Sequence, residues 1–255
     1  MRPKGIKKMP AKKEAAPQCW THREITRQLI ADLQGLAFGP PVSHVYNPLV
    51  YARRPYDLYL QKYGRPPRNV LLLGMNPGPW GMAQTGVPFG EIDAVRRWMN
   101  IYAPVDRPPQ PHPRRPVTGF ACPRSEISGK RLWGWAQKTF ATPERFFARF
   151  FVSNYCPLMF IDADGRNRTP NNLRVAERRP LNAVCDRALR RTVGHLHPRY
   201  VVGIGKFARQ RAEAALAGLD VTIGCITHPS PANPRANRGW ESLIEGELTE
   251  IGLRF

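Results

Sequence analysis

The sequence predicts an α/β fold, with a central, mostly parallel β-sheet flanked by helices in three layers. Two observations predict it. Four short apolar runs recur along the chain, each the length of a strand buried on both faces. Helical stretches separate them, and strands that alternate with helices argue for parallel pairing.

Residues 1–18 are dominated by Lys, Pro and Ala, show no periodicity, and read as a disordered basic tail ahead of one folded domain over 19–255. From Thr21 to Leu36 the apolar residues Ile25, Leu29, Ile30 and Leu33 fall on one helix face, with Thr21 as the cap. Asn69-Val-Leu-Leu-Leu-Gly74 is the first buried strand, stopped by glycine. Phe150-Phe-Val-Ser-Asn154, Tyr200-Val-Val-Gly-Ile204 and Val221-Thr-Ile-Gly-Cys-Ile226 are the others, with helices expected near 129–149, 173–196 and 206–217. Six prolines between Ala103 and Pro116 exclude helix and central strand there and predict a surface loop.

Across 255 residues, Lys and Arg total 39 against 19 Asp and Glu, a net charge of +20. The tail holds six basic side chains and one acid, so most of the excess belongs to the folded body. A positive face of that kind suits a polyanion, and nucleic acid is the leading partner. No run approaches the roughly 18 apolar residues of a membrane span, and the basic N-terminus lacks the apolar segment of a secretory signal, so an intracellular protein is expected. Cys19, Cys122, Cys156, Cys185 and Cys225 form no C-x-x-C pair and read as reduced thiols, mostly core packing. No metal or cofactor is expected.

Two segments carry chemistry. Gly74-Met-Asn-Pro-Gly-Pro79 puts Asn76 just beyond a strand's carboxyl end, where open α/β sheets place ligands. His228-Pro-Ser-Pro-Ala-Asn-Pro234 delivers a histidine beyond the last strand in the same way. Alone, the first reads as an ordinary turn and the second as a proline-stiffened loop. Two such loops at one sheet edge could share a crevice. Val202-Gly-Ile-Gly-Lys-Phe207 superficially suggests a phosphate loop, but its spacing departs from G-x-x-x-x-G-K-[ST] and predicts a tight strand-to-helix turn instead.

The sequence resembles the single-strand-selective monofunctional uracil-DNA glycosylases of the uracil-DNA glycosylase superfamily. The resemblance rests on the segment from Leu73 to Glu91, on Phe151-Val-Ser-Asn-Tyr-Cys-Pro-Leu158, and on the segment from Thr227 to Trp240; Ser128-Gly-Lys-Arg-Leu-Trp-Gly-Trp135 is similar too. It covers about Cys19 to Leu253 and implies that superfamily's fold. It also implies hydrolysis of the bond between a damaged base, such as uracil, and deoxyribose, leaving an abasic site.

Carried over residue by residue, Asn76 would orient the attacking water, and His228 would stabilise negative charge on the departing base. Backbone around Met75 and Gly78 would line the pocket, Phe89 would stack on the flipped base, and Asn154 would read its hydrogen-bonding edge. The loop after the histidine, with Ser230, Ala232, Arg235 and Arg238, would contact DNA and fill the gap a flipped nucleotide leaves. Ala232 departs from the larger, often basic side chain expected there, leaving Arg235 or Arg238 as substitutes.

The residue types suit the reaction. Negative charge grows on the base as the bond breaks, so a donor aimed at the uracil oxygen acts where charge develops. Asn76 is an amide and cannot be a general base, so it orients water and forgoes some of the roughly 10²–10⁴-fold that proton transfer would add. Two rivals remain open: a noncatalytic DNA-binding protein on the same fold, and a nucleotide-binding α/β enzyme.

Overall fold

The computed structural model describes residues 20–254. The basic tail at 1–18 and Cys19 lie outside the described residues. In chain order the elements are α1 (His22–Gln34), β1 (Val42–Tyr46), α2 (Pro48–Tyr51), α3 (Arg53–Tyr63), β2 (Val70–Gly74) and α4 (Met82–Thr85). Then follow α5 (Ile127–Phe140), α6 (Pro143–Arg149), β3 (Phe150–Asn154), β4 (Met159–Asp162), β5 (Asn167–Arg168) and α7 (Val175–Leu196). β6 (Tyr200–Ile204), α8 (Lys206–Ala215), β7 (Thr222–Ile226) and α9 (Trp240–Glu250) complete the described chain.

The four predicted strands form one parallel sheet in the order β3-β2-β6-β7, flanked by helices. β2 and β6, at its centre, are buried at every residue, which explains their unbroken apolar runs. β7 is an edge strand and only partly covered. From β2 the chain moves outward to β3, then returns to lay β6 on the other side of β2. That reversal opens a crevice beyond the carboxyl ends of β2 and its neighbours, the topological switch point at which such sheets bind ligands.

Helix α1 begins at Thr21, which forms a reciprocal capping box with Glu24. The stretch expected as one helix near 129–149 is two. α5 ends at Ala141 in a positive-φ conformation, and Thr142 caps α6 with Pro143 in its first turn, a start signal that overrides the apolar periodicity. The Val202–Phe207 segment is the strand-to-helix turn expected: Gly205 adopts φ 90° between β6 and α8.

β1, β4 and β5 form a separate antiparallel sheet that sequence reasoning missed. It has its own small core of Tyr46, Tyr51, Ala52, Ala83, Val117, Met159 and Ile161. Helices α3 and α9 were also unassigned from sequence. Residues 103–116 contain no helix or strand, as their prolines require. Cys122, Cys156 and Cys185 are buried free thiols and Cys225 is a half-buried one.

His22 is buried against Phe151 and edge-on to His195, and its Nε2 has no hydrogen-bond partner. Burial, with the nearby charges of His195 and Arg68, pulls its pKa from 6.5 down to about 3. Burial likewise holds His228 at about 4. As pH falls from about 6.5, the unfolded chain takes up protons that the folded chain refuses, so stability is complete above that value and declines toward pH 4. A loss on the order of a few kcal/mol is expected, partly offset by Glu126, whose pKa burial raises. Urea midpoints should fall between pH 7 and 5, and His22→Leu should flatten that fall; an unchanged slope in the variant would remove His22 as its source.

Candidate active site

The loops leaving the carboxyl edge of the parallel sheet enclose a cleft of about 370 Å³. Its walls include Met75, Asn76, Gly78, Phe89, Asn154, His228 and Ser230, seven residues singled out from the sequence and spread over 156 positions. Ala232, Arg235 and Arg238 do not line it. Ala232 is exposed, its N–H donating to Ser230 Oγ, and Arg235 reaches Glu247 at 3.4 Å.

The register of the sheet starts the site. Gly74 and Asn154 are direct partners at the ends of β2 and β3. Beyond them the chains stay tied, because Tyr155 N–H donates to Gly74 O and Cys156 N–H to Met75 O, each at 2.9 Å. Asn76 is thereby laid beside Leu158, and its Nδ2 donates to Leu158 O at 3.3 Å. A carbonyl can only accept, so this contact fixes the amide's orientation and leaves Oδ1 free to accept from water. Among the described residues Oδ1 has no protein partner.

Asn154 is pinned in a similar way. Its Nδ2 donates to the Met82 thioether at 3.3 Å, leaving the carbonyl oxygen and one N–H to face a ligand. Gly74 makes room for it: a Cβ there would run into both Asn154 Oδ1 and the Phe89 ring. Phe89 adopts φ 54°, a conformation that a bulky residue holds only when its surroundings impose it. They do so through its carbonyl, which accepts from Trp133 Nε1 at 2.8 Å and from Glu91 N–H at 2.7 Å. Its ring lies 6.2 Å from that of His228.

His228 follows β7, and its loop is braced throughout. Thr227 donates through N–H and Oγ1 to Glu247, Trp240 Nε1 donates to Thr227 O, and Asn233 Nδ2 to His228 O. Arg131, on α5, clamps the far side through Pro229 O and Asn237 Oδ1. Ser230 N–H donates to His228 Nδ1 at 3.1 Å. An imidazole whose Nδ1 accepts, and whose pKa burial holds at about 4, is neutral at pH 7 and carries its proton on Nε2. That Nε2–H has no protein acceptor among the described residues.

Six residues of the cleft were not singled out from sequence: Pro79, Met82, Glu126, Ser128, Asn167 and Thr169. Glu126 is the acid of the set. It sits where Gly78 and Gly81 bare their backbone to it, and burial raises its pKa although the N–H groups of Ser128 and Trp80 pull the other way. Asn167 and Thr169 arrive from β5 and the turn after it. Among the described residues, no lysine lines the cleft.

Comparison with known proteins gives consistent matches. The family model described as Uracil DNA glycosylase superfamily matches residues 61–243. The single-strand selective monofunctional uracil-DNA glycosylase of Rattus norvegicus is 50% identical over 228 residues, 89% of this chain and 82% of that protein. The Bos taurus protein of that name is 50% identical over 224 residues, 87% of this chain and 82% of its own. The crystal structure of Pedobacter heparinus SMUG2 superposes with a TM-score of 0.64 at 17% identity, covering 89% of this chain and 97% of that one.

Proposed function

The chain belongs to the uracil DNA glycosylase superfamily, and from that premise we propose how its cleft removes a base. It is a monofunctional uracil-DNA glycosylase, acting on DNA as a hydrolase. One observation supports the reading of the site most directly: Asn76, Phe89, Asn154 and His228 share one cleft, and Asn76 Oδ1 and His228 Nε2 have no partner among the described residues.

The base is flipped from the strand into the cleft, at a cost of a few kcal/mol in duplex and less in single strands. Phe89 stacks on it. The Asn154 carbonyl accepts from uracil N3–H, and the remaining Nδ2 hydrogen donates to O4. Cytosine presents the reverse pair, and Met82 prevents the amide from rotating to match it. Asn76 Oδ1 accepts from a water aligned on C1′. The glycosidic bond breaks with its electron pair going to the base, water adds to C1′ and sheds a proton to solvent, and His228 Nε2–H stabilises the departing negative charge. The product is an abasic site, and among the described residues the cleft offers no lysine to form a Schiff base with it.

The chain contributes every group in this scheme, which favours action as a monomer. Among the described residues no helix is long and apolar enough to cross a membrane; working on DNA, it acts inside the cell. Uracil release from a single-stranded oligonucleotide tests the activity, and no release would return the chain to the noncatalytic DNA-binding alternative.

The loop after His228 fills the gap left by the flipped nucleotide. Ala232 is too small to do so, whereas Arg238 is exposed and forms no ion pair among the described residues. Arg238→Ala should therefore slow duplex cleavage more than single-strand cleavage, and Ala232→Arg should add little. A selective duplex gain from Ala232→Arg would instead make position 232 the wedge tip.

A further inference from the structure

Beside the cleft, the Trp80 ring carries two guanidinium groups, Arg115 at 5.3 Å and Arg124 at 4.6 Å from its centroid. Trp80 lies two residues past Gly78 and Arg124 two residues before Glu126, both cleft residues, so the cluster stands at its rim. Neither arginine forms an ion pair among the described residues, although Arg53, Arg168, Arg174 and Arg211 all do. Glu126 does not pair with either. Two like charges held over one ring repel each other, and neither is neutralised by an ion pair among the described residues.

The cluster is built, not loose. Gln84, 1% exposed, joins the two loops that carry Trp80 and Arg115. It donates to Pro79 O and Pro116 O and accepts from the N–H groups of Thr118 and Gly119. Tyr46 Oη holds the Arg115 carbonyl at 2.9 Å. Arg115 Nε is buried with no partner, and among the described residues the side chain makes one hydrogen bond, a 3.4 Å contact from Nη1 to Arg114 O. Each guanidinium lies over the indole within cation–π range, and a guanidinium is the planar fork that can grip a phosphate with two parallel bonds.

We propose that Trp80, Arg115 and Arg124 form a phosphodiester-binding subsite for the DNA strand flanking the flipped nucleotide. It rests on the cleft being the base pocket. The indole positions the two arginines at the rim, so the strand is gripped next to the nucleotide that leaves the stack. A grip there holds the strand equally in the ground and transition states, and it serves single strands, which offer no groove for orientation.

The test uses the full chain and a uracil-containing single-stranded oligonucleotide. Arg115→Gln and Arg124→Gln should each raise KM severalfold, with the loss falling on KM and not on kcat. Each should also lower the slope of log affinity against log salt by about 0.7, the value for one neutralised phosphate on a single strand. Replacing one phosphate beside the uridine with an uncharged methylphosphonate should reproduce that loss in the unaltered protein and cost nothing further in the variant. Trp80→Leu should weaken binding through both arginines at once, and Arg124→Lys should recover the salt slope but only part of the KM.

Unchanged KM and salt slope in both glutamine variants would overturn the subsite. So would methylphosphonate losses that simply add to those of the variants at every position. If inorganic phosphate at constant ionic strength competes in the unaltered protein while methylphosphonates have no effect, the cluster binds a free anion and the strand assignment falls. The base-pocket reading fails separately, through retained rates in Asn76→Ala.

Discussion

Asn76→Ala and His228→Ala should each slow single-turnover release of uracil from a single strand by on the order of 10²–10³-fold, the usual loss for one preorganised polar group. Neither should unfold the protein or much weaken DNA binding. Asn76 makes one protein hydrogen bond, at 3.3 Å to Leu158 O, and sits in a loop already tied by the backbone bonds of Tyr155 and Cys156. His228 is held by a loop with at least five other braces. Losing either side chain therefore removes a group aimed at the reacting atoms while its frame persists. The double variant should fall short of the product of the two losses, because water placement and leaving-group stabilisation serve one transition state. A rate within threefold of the unaltered protein in either single variant would remove that residue from the chemistry.

Gly74→Ala should be nearly as damaging, although the glycine touches no substrate. One methyl group there meets the Asn154 carbonyl on one side and the Phe89 ring on the other. Both are the parts proposed to recognise and stack the base. Asn154 is anchored by its place at the end of β3 and by Met82, and Phe89 by its carbonyl bonds to Trp133 and Glu91, so neither can retreat without breaking a contact. A displacement near an ångström at a reacting site can cost about 100-fold. The loss should appear in kcat/KM for uracil, with nonspecific DNA binding retained and discrimination against cytosine relaxed. Unchanged rate and selectivity would mean that the site absorbs the methyl group.

Much of this was legible in the sequence because the chemistry stands at strand ends. The apolar runs of β2, β3, β6 and β7 marked the sheet, and Asn76 and His228 followed two of them by two residues. What stayed hidden came by tertiary placement. β5 has two residues, too few for an alternating pattern, so Asn167 and Thr169 gave no sign of facing the cleft. β1 pairs with β4 through an irregular register at Val42 and His44, which blurs its alternation. Glu126 sits in a polar stretch before α5, and only the bare backbone of Gly78 and Gly81 across from it reveals where it points. The break between α5 and α6 was readable in Thr142-Pro143, but a continuous apolar face masked it.

The hydrogen bond from Ser230 N–H to His228 Nδ1 has a further consequence. A ring that relays protons must load one nitrogen and unload the other. Here Nδ1 is occupied by a donor that cannot itself accept, and the ring's low pKa makes gaining a second proton costly. On the proposed mechanism His228 thus acts as a fixed dipole and not as an acid. The base would then leave as an anion, held by a hydrogen bond until solvent protonates it, and the ease of departure would follow how well each base bears a negative charge.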